Sequence, residues 1–208
     1  IVKKKEFWKQ TFYIDQSVLI PRPDTEVLVQ ETLKLFGKNF NLRILDIGTG
    51  SGCILLSLLK ERRNFVGTGI DISKKAINVA RFNAKLHQLG NRVKFFNSDV
   101  DKFLFGKYDL IVSNPPYIKN NNIKYLEKDV FDYEPEVALD GGKTGFSKIS
   151  KVVCRASSLI KKNGKLILEI GYDQKSKVIE ILKKNRFYIN KIAKDYANKD
   201  RCIISTKL

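Results

Sequence analysis

The sequence predicts an α/β protein whose central sheet is largely parallel and covered by helices on both faces. Short apolar segments alternate along the chain with segments of helical periodicity, which is the pattern of such folds. A length of 208 residues and a hydrophobic fraction of 43% suit one domain with a packed core. The first five buried strands expected in the sheet each end in polar or glycine-rich residues. Ligands of open α/β sheets bind at that edge, so functional residues are expected there.

The chain before the first long helix alternates apolar and polar residues over 11–20, which predicts a short hairpin or edge strand. Two prolines then break the chain. Asp24 or Thr25 can cap a helix that runs to about Phe36, and Gly37 ends it. This helix is the first of the elements that cover the sheet.

Four strands and two helices are expected in the next part of the chain, because four apolar runs are separated by stretches with helical spacing. Ser73 can cap the second of these helices, and Gly90 stops it. The strands are predicted at 42–47, 64–70, 93–97 and 108–113, and the helices at about 53–60 and 73–89.

The C-terminal part of the chain begins with a long polar connection over 118–145. A helix over about 146–162 comes next and ends before Gly164. The remaining elements are predicted as a strand over 165–170, a helix over 176–185, and two closing strands over 187–193 and 201–206 that pair antiparallel. The predicted sheet therefore has seven strands, most of them parallel.

The charge balance is strongly basic, with 39 Lys and Arg against 22 Asp and Glu and a net charge of +17. This balance favours an acidic partner such as nucleic acid, a ribonucleoprotein or an anionic surface. Solubility on a Lys-rich and Asn-rich background is the alternative explanation. The single histidine, His87, argues against serine-histidine or cysteine-histidine catalysis and against a metal site built on several histidines. No metal is expected.

Three cysteines, Cys53, Cys154 and Cys202, are widely spaced and form no C-x-x-C pair. Their number and spacing predict reduced thiols rather than a disulfide framework. No apolar run approaches the ~20 residues that a membrane helix needs. We therefore expect a cytoplasmic protein with no membrane partner.

A glycine-rich turn between the first buried strand and the next helix is the first candidate site. Its sequence, D-I-G-T-G-S-G over 46–52, has the spacing G-x-G-x-G rather than the G-x-G-x-x-G of dinucleotide sites. The carboxylate of Asp46 would repel a pyrophosphate and would suit a cationic amino group. A ligand with an amino group, a carboxylate and a nucleoside fits, namely S-adenosylmethionine; a plain tight turn is the alternative. The residues expected to bind it are Asp46, Gly48, Thr49, Gly50, Ser51 and Gly52.

Two carboxylates follow the next two strands. Asp71 ends the second strand, where an acid can accept both ribose hydroxyls of a nucleotide-like ligand. Asp99 follows the third strand and can accept the amino group of adenine, while Val100 can wall the ring. Each acid could instead cap a helix or lie in a solvated loop. Together with the glycine turn they predict a cofactor site at one edge of the sheet.

The tetrapeptide N-P-P-Y over 114–117 follows the fourth strand. Asn114 supplies a carbonyl acceptor, and Pro115 supplies a backbone carbonyl on a stiff chain. Tyr117 offers a flat face on which a planar group can stack. This arrangement suits a planar nitrogen nucleophile whose two N–H bonds donate to Asn114 Oδ1 and the Pro115 carbonyl. A proline-rich turn with a capping asparagine is the alternative.

These motifs resemble those of class I S-adenosylmethionine-dependent methyltransferases that act on amino nitrogens. The resemblance rests on the D-I-G-T-G-S-G turn, the acid at position 71 and N-P-P-Y. It implies a Rossmann-like fold with a seven-stranded, mostly parallel sheet, helices on both faces and an antiparallel C-terminal strand. N-P-P-Y is shared by methyltransferases of DNA, RNA and protein glutamine, so it does not choose between these substrates.

Three further segments resemble one family, PrmC/HemK, the release factor glutamine methyltransferases. They are Ile20–Glu26, Tyr133–Gly142 and Leu168–Gln174, and the resemblance covers residues 6–208. Members of that family usually carry an N-terminal helical domain, which we expect to be absent from this chain. The expected organisation is a hairpin or linker segment over 1–23 and a methyltransferase domain over 24–208.

The resemblance implies methyl transfer from S-adenosylmethionine to the glutamine amide nitrogen in the Gly-Gly-Gln motif of a peptide chain release factor, leaving S-adenosylhomocysteine. It implies catalytic roles for Asn114, Pro115 and Tyr117, with Pro116 beside them in substrate binding and Asn114 also against the cofactor. It also implies that Arg22 and Thr25 line the mouth of the active site, with a purely structural loop as the alternative. The basic surface suggests a further contact with the ribosome or RNA. The alternatives are an RNA or DNA amino-group methyltransferase, a ribosomal-protein glutamine methyltransferase, and a non-catalytic nucleic-acid-binding module.

Overall fold

The computed structural model describes residues 3–118, 134–142 and 144–208. The strands are β1 (Lys4–Phe7), β2 (Gln10–Tyr13), β3 (Leu42–Ile47), β4 (Phe65–Asp71), β5 (Val93–Asn97), β6 (Tyr108–Ser113), β7 (Ile160–Glu169), β8 (Phe187–Lys194) and β9 (Asp200–Lys207). The helices are α1 (Glu26–Leu35), α2 (Cys53–Glu61), α3 (Lys74–Leu86), α4 (Glu136–Leu139), α5 (Ser147–Leu159) and α6 (Lys175–Lys184). Two 3-10 turns lie at Pro23–Thr25 and Val100–Lys102.

Seven of the strands form one sheet in the order β5-β4-β3-β6-β7-β9-β8. The pairs β3–β4, β4–β5, β3–β6 and β6–β7 are parallel, and β9 pairs antiparallel with both β7 and β8. The predicted α/β fold with a mostly parallel seven-stranded sheet is confirmed. The order along the sheet reverses at β3, whose neighbours are β4 and β6, and such a point opens a crevice at the carboxyl ends of the strands.

The core has two layers, one on each face of the sheet. Successive residues of a strand point to opposite faces, so Ile44 of β3 packs with the layer under α1, α2 and α3, while Leu45 packs with the layer under α5 and α6. Both side chains are fully buried. Burial on both faces explains why the central strands read as continuous apolar runs rather than as alternating ones.

The N-terminal hairpin lies earlier in the chain than predicted. Strands β1 and β2 pair from Lys4 with Tyr13 to Phe7 with Gln10, and residues 14–20 form no strand. Trp8 and Lys9 between them have left-handed φ angles of 47° and 60°, as a two-residue hairpin turn requires. The turn lacks the usual Asn-Gly or Asp-Gly sequence, which explains the error.

The boundary between α5 and β7 was also predicted wrongly. The helix ends at Leu159 rather than near 162, and Ile160 already pairs with Tyr108. The pairing then jumps from Tyr108–Ile160 to Leu110–Lys165, with Asn163 in a left-handed conformation at φ 64°. Gly164, which the sequence indicated as the end of a helix, therefore lies within this irregular part of β7.

The long connection after β6 is only partly described. Ile118 forms a bridge with Asp140, and α4 lies between them along the chain. Tyr133, at the start of one segment of the family resemblance, lies outside the described residues. No helix in the described parts of the chain is long and apolar enough to cross a membrane.

Candidate active site

A cavity of about 1470 Å³ opens where β3, β4 and β6 end. Small-molecule pockets usually measure ~300–1,000 Å³, so this cavity has room for a cofactor together with part of a second molecule. The sequence-predicted residues that line it are Gly48, Thr49, Gly50, Ser51, Asp71, Asp99, Val100, Asn114, Pro115 and Pro116. Three other predicted residues, Asp46, Gly52 and Tyr117, are not on its wall.

The glycine-rich turn presents bare backbone to the cavity. Gly48, Gly50 and Gly52 have φ angles of +73°, +54° and +82°, a region that residues other than glycine rarely adopt. A Cβ atom on Gly48 or Gly50 would meet nothing within 4 Å, whereas one on Gly52 would lie 3.1 Å from Leu56 Cδ1. The first two glycines therefore leave open space for a ligand, and the third allows the turn to pack on α2.

The N–H groups of this turn are largely bonded within the protein. Gly48 and Thr49 both donate to the Ile70 carbonyl at 2.9 Å, and Gly52 donates to the Thr49 carbonyl at 2.8 Å. Gly50 donates to Asp71 Oδ2 at 2.9 Å. These four N–H groups are therefore used within the protein, because the turn is bonded to β4 and to itself.

Asp46 lies behind the turn. It is fully buried, its Oδ2 accepts a hydrogen bond from Thr49 Oγ1 at 2.7 Å, and its Oδ1 has no hydrogen-bond partner. Burial, with a smaller effect of the nearby Asp71 charge, raises the pKa of Asp46 to about 7. A buried carboxylate oxygen without a partner is costly, so this place in the protein favours a positive charge nearby. The sequence suggested that Asp46 contacts the ligand directly, but in the structure Asp46 does not line the cavity.

Asp71 and Asp99 both line the cavity, and both also bond to the backbone. Asp71 accepts N–H bonds from Gly50 and Ser73, each at 2.9 Å, and burial raises its pKa. Asp99 Oδ1 accepts the N–H of Asp101 at 2.8 Å and caps the turn over 100–102. The capping role considered from the sequence for Asp99 is therefore real. Each carboxylate oxygen has further lone pairs, so these bonds leave capacity for a ligand.

Asn114 stands at the end of β6, on the cavity wall. Its Nδ2 donates to Thr25 Oγ1 at 3.2 Å. Because the amide nitrogen is used by Thr25, the other atom of the carboxamide, Oδ1, remains for a ligand. The next two residues, Pro115 and Pro116, continue the same wall.

Tyr117 does not face the cavity. Its ring packs against the core layer that contains α5 and α6, and its hydroxyl accepts a hydrogen bond from Arg201 Nη1 at 3.4 Å. Its carbonyl accepts from Gln174 Nε2 at 3.1 Å, and burial raises its pKa to about 12. The chain turns after Pro116 to form the bridge at Ile118. The stacking role predicted for Tyr117 is therefore not the one that this structure offers; it anchors the N-P-P-Y loop.

The family resemblance placed Thr25 at the mouth of the site, whereas Glu169 was given no role from the sequence. Thr25 makes no capping bond at the start of α1, against expectation, and lines the cavity beside Asn114. Glu169 ends β7 with 2% of its surface exposed, and its Oε2 has no hydrogen-bond partner. Burial raises the pKa of Glu169 to about 7, against the opposing effects of hydrogen bonding to Thr25 and the Arg201 charge. The sequence signals for it were an acid at the end of an apolar strand run and its place in the segment Leu168–Gln174 of the family resemblance.

An ion pair ties two distant segments together at the cavity. Arg22 lines the cavity and donates through Nη2 to Glu134 Oε1, 112 residues away. Glu134 is buried, and burial raises its pKa despite the Arg22 charge. The two residues belong to two of the segments that resemble the glutamine methyltransferase family, and here they lie in contact.

The fold matches that of solved methyltransferase structures. A ribosomal protein L11 methylase from Lactobacillus delbrueckii superposes with a TM-score of 0.67 and 18% identity, covering 94% of this chain and 84% of that one. A methyltransferase from Pyrococcus furiosus gives a TM-score of 0.69 and 19% identity, covering 94% and 88%. At these identities the likeness shows the fold alone.

Sequence relatives identify the family. The family described as methyltransferase small domain matches residues 23–144. The release factor glutamine methyltransferase of Caulobacter vibrioides is 38% identical over 208 residues, which is all of this chain and 72% of that protein. The protein of the same name from Buchnera aphidicola is 41% identical, covering all of this chain and 74% of its own length. The chain therefore belongs to the release factor glutamine methyltransferase family.

Proposed function

We propose that this protein transfers a methyl group from S-adenosylmethionine to the side-chain amide nitrogen of the glutamine in the Gly-Gly-Gln motif of peptide chain release factors. The observation that carries the proposal is the position of Asn114 and Pro115. They share one cavity with the glycine-rich turn of a class I methyltransferase. Full-length identity to proteins named release factor glutamine methyltransferase supports the choice of substrate.

The residues around the glycine turn fit the cofactor. The open backbone at Gly48 and Gly50 leaves room for close approach of a ligand, and Asp71, on the cavity wall, would accept the ribose hydroxyls. Asp99 and Val100 line the same cavity and would meet the adenine ring, the first as an acceptor and the second as an apolar wall. Asp46 acts from behind the turn, since a buried negative charge attracts a ligand cation through the low-dielectric interior. When bound, the cofactor supplies a methyl group activated by a sulfonium charge.

The residues after β6 position the nucleophile. A glutamine amide nitrogen is weakly nucleophilic, because its lone pair is delocalised, and its two N–H bonds need acceptors. Asn114 Oδ1 and the Pro115 carbonyl supply two acceptors that hold the nitrogen and stabilise the positive charge that develops on it. Orientation of this kind supplies ~7–11 kcal/mol at best. No strong base is required, because the proton can leave after the methyl group has been transferred. Pro116 adds an apolar contact on the same wall, and Tyr117 holds the loop.

The basic charge supports a role in translation. A net charge of +17 favours an acidic partner, and a release factor works on the ribosome. We also propose that the basic surface of the protein contacts the ribosome or RNA, and that the protein is cytoplasmic. The same charge favours the second candidate function, methylation of an amino group in RNA, since a flipped base presents similar N–H bonds to N-P-P-Y.

Transfer of labelled methyl groups tests the proposal. A release factor, the same factor with its Gly-Gly-Gln glutamine changed, and total RNA are offered side by side with labelled S-adenosylmethionine. Label on the unchanged factor, and none on the changed factor, is the expected result. Label on RNA alone would replace the proposal with the second candidate. Affinity for bare RNA that falls steeply with salt would support the same replacement.

A further inference from the structure

Gln174 lies just before α6 and is buried, with 5% of its surface exposed. Its carboxamide makes three hydrogen bonds to backbone groups. Oε1 accepts the Gly171 N–H at 3.0 Å, and Nε2 donates to the Tyr117 carbonyl at 3.1 Å and to the Gly145 carbonyl at 3.3 Å. A backbone N–H only donates and a backbone carbonyl only accepts, so these partners allow one orientation of the carboxamide.

The three backbone groups come from different parts of the chain. Gly171 is three residues before Gln174, but Tyr117 is 57 positions away and Gly145 is 29. Tyr117 ends N-P-P-Y, and Gly145 is the last residue of the long connection that follows this tetrapeptide. One buried side chain therefore joins the two ends of that connection, and we call its three bonds the Gln174 clamp.

The backbone at Tyr117 is also in close contact with the end of the same connection. A Cβ atom on Gly141 would lie 2.8 Å from the Tyr117 carbonyl carbon, so glycine allows the two backbones to touch. The Gly141 N–H donates to the Ile118 carbonyl at 2.8 Å. A Cβ atom on Gly171 would lie 3.1 Å from Gln174 Oε1, so bare backbone there gives the carboxamide its place. The clamp thus holds a peptide that is already closely packed.

The position of the Tyr117 carbonyl constrains the proposed acceptors before it. Proline rings fix the φ angles of Pro115 and Pro116. A residue that precedes proline is restricted to extended conformations, and this applies to Asn114 and Pro115. Few free rotations therefore separate the Pro115 carbonyl from the Tyr117 carbonyl, and a shift of one moves the other.

We propose that Gln174 is a positioning residue that, through the Tyr117 carbonyl, holds the Pro115 carbonyl in place as an acceptor for the substrate N–H bond. The proposal deepens the function proposed above and rests on it. Gln174 is not among the described residues that line the cavity, so it acts through the loop rather than on the substrate. Closing the turn at Gly171 needs only Oε1, whereas the two bonds donated by Nε2 reach the loop.

Two variants separate these bonds. Gln174→Glu keeps an acceptor for the Gly171 N–H, but an ionised carboxyl group has no donor for the two carbonyls. Gln174→Met has a similar length and removes all three bonds. Asn185→Asp is the matched control, because Asn185 ends α6, its Nδ2 donates to the Ile181 carbonyl at 2.9 Å, and it does not line the cavity. It makes the same change from amide to acid in the same helix without reaching the loop.

The expected kinetic result is a loss in kcat with cofactor binding preserved. With both substrates saturating, and at alkaline pH where the new carboxyl group is ionised, Gln174→Glu and Gln174→Met should each lower kcat about 10–100-fold, since a misplaced acceptor removes alignment. Cofactor Kd should stay within about twofold of wild type, because the glycine turn is untouched. Asn185→Asp should keep kcat within about twofold even where its melting temperature falls as far.

Two kinetic outcomes would overturn the proposal. Full activity in Gln174→Glu beside a loss in Gln174→Met would mean that closing the turn at Gly171 is the whole role of the side chain. An equal loss of kcat in Asn185→Asp would mean that destabilisation of α6, and not the clamp, lowers the rate.

Backbone hydrogen exchange tests the effect on the loop without any substrate. The Ile118 N–H donates to the Leu139 carbonyl at 3.3 Å, and the Gly141 N–H donates to the Ile118 carbonyl. Loss of the clamp should free this part of the chain, so both N–H groups should exchange about tenfold faster in Gln174→Glu than in wild type. Their exchange should not change in Asn185→Asp. Unchanged exchange in both Gln174 variants would refute the clamp.

The wild-type protein supplies a test that does not depend on whether a variant folds. Both Nε2 protons of Gln174 are bonded inside the protein, so they should exchange with solvent at least about tenfold more slowly than those of Gln88, which is exposed. Labelling with ¹⁵N-glutamine resolves these signals, and Gln174→Met assigns them. Exchange as fast as that of Gln88 would refute the clamp. Slow exchange, with the loop freed in Gln174→Glu, in a protein that methylates no release factor would sustain the clamp and refute the proposed function.

Discussion

The two halves of the cavity are built in different ways. In the half around the glycine turn, the bonds join residues close in sequence: Thr49 to Asp46 across three positions and Gly50 to Asp71 across 21. In the half around N-P-P-Y, Asn114 bonds to Thr25 across 89 positions. The first half is a local property of one strand-turn-helix unit and the strand beside it. The second joins residues from distant parts of the chain, at the start of α1 and the end of β6.

Each half nevertheless contains a buried carboxyl group at the end of a strand. Asp46 is the last but one residue of β3, behind the turn, and Glu169 is the last residue of β7. Burial raises the pKa of each to about 7, and each has one oxygen without a hydrogen-bond partner. Asp46 lies behind the turn where a cation is proposed to bind, whereas the positive charge that acts on Glu169 is that of Arg201, a residue of the chain itself. The two buried carboxyl groups therefore differ in the source of the positive charge near them.

The sharpest test of this division is Asn114→Ala. The variant removes the proposed acceptor for the substrate N–H bond but leaves the glycine turn and both neighbouring acids in place. We expect kcat for release factor methylation to fall about 10³-fold, while cofactor Kd changes by less than about threefold. Isothermal titration with S-adenosylmethionine and single-turnover transfer separate the two quantities. Unchanged turnover would show that Asn114 does not hold the nucleophile.

The division also explains what the sequence could predict. The fold, the seven strands and the glycine turn follow from local patterns, because a buried parallel strand, a left-handed glycine and a capped helix each need particular neighbouring residues. Ser73, for example, was predicted to cap a helix, and its Oγ accepts the Ala76 N–H at 3.2 Å at the start of α3. Asp71 and Asp99 could be placed at the cavity, since the carboxyl ends of parallel strands meet at one edge.

The contacts of the side chains around N-P-P-Y could not be predicted from local sequence patterns. The pattern around Thr25 fitted a helix cap and the family resemblance put Thr25 at the mouth of the site, but its contact with Asn114 depends on where α1 lies against β6. Glu169 belonged to a segment of the family resemblance but carried no assigned role. Tyr117 was expected at the cavity, and the bridge after it turns the ring away. In each case the three-dimensional packing, and not the neighbouring sequence, decides what the side chain touches.

Asp71→Asn tests the cofactor half. The amide keeps the size of the side chain but replaces one acceptor oxygen with a donor, which faces either the Gly50 N–H or the Ser73 N–H. We expect cofactor Kd to rise about 10–100-fold, the cost of one or two hydrogen bonds to a charged group. At saturating cofactor, kcat should stay within a few-fold of wild type. A large fall in kcat at saturation would mean that the two halves are not separable.

Asp46→Asn tests the buried charge behind the turn through stability. In the folded protein the pKa of Asp46 is about 7, against an ordinary value of 3.8. As pH rises from about 4 to 7, the unfolded chain releases this proton while the folded protein retains it, so wild type loses stability over that range. Asparagine does not titrate. The unfolding free energy of the variant minus that of wild type should be about 2 kcal/mol larger at pH 8 than at pH 5.

Urea unfolding at the two pH values measures this difference. Any pH-independent effect of the new amide beside Thr49 on the unfolding free energy cancels when the values at the two pH values are compared. The effect of Glu169 cancels too, because Glu169 titrates in both wild type and variant. A difference that is equal at the two pH values would mean that Asp46 is already ionised when folded, with a positive group or water beside it.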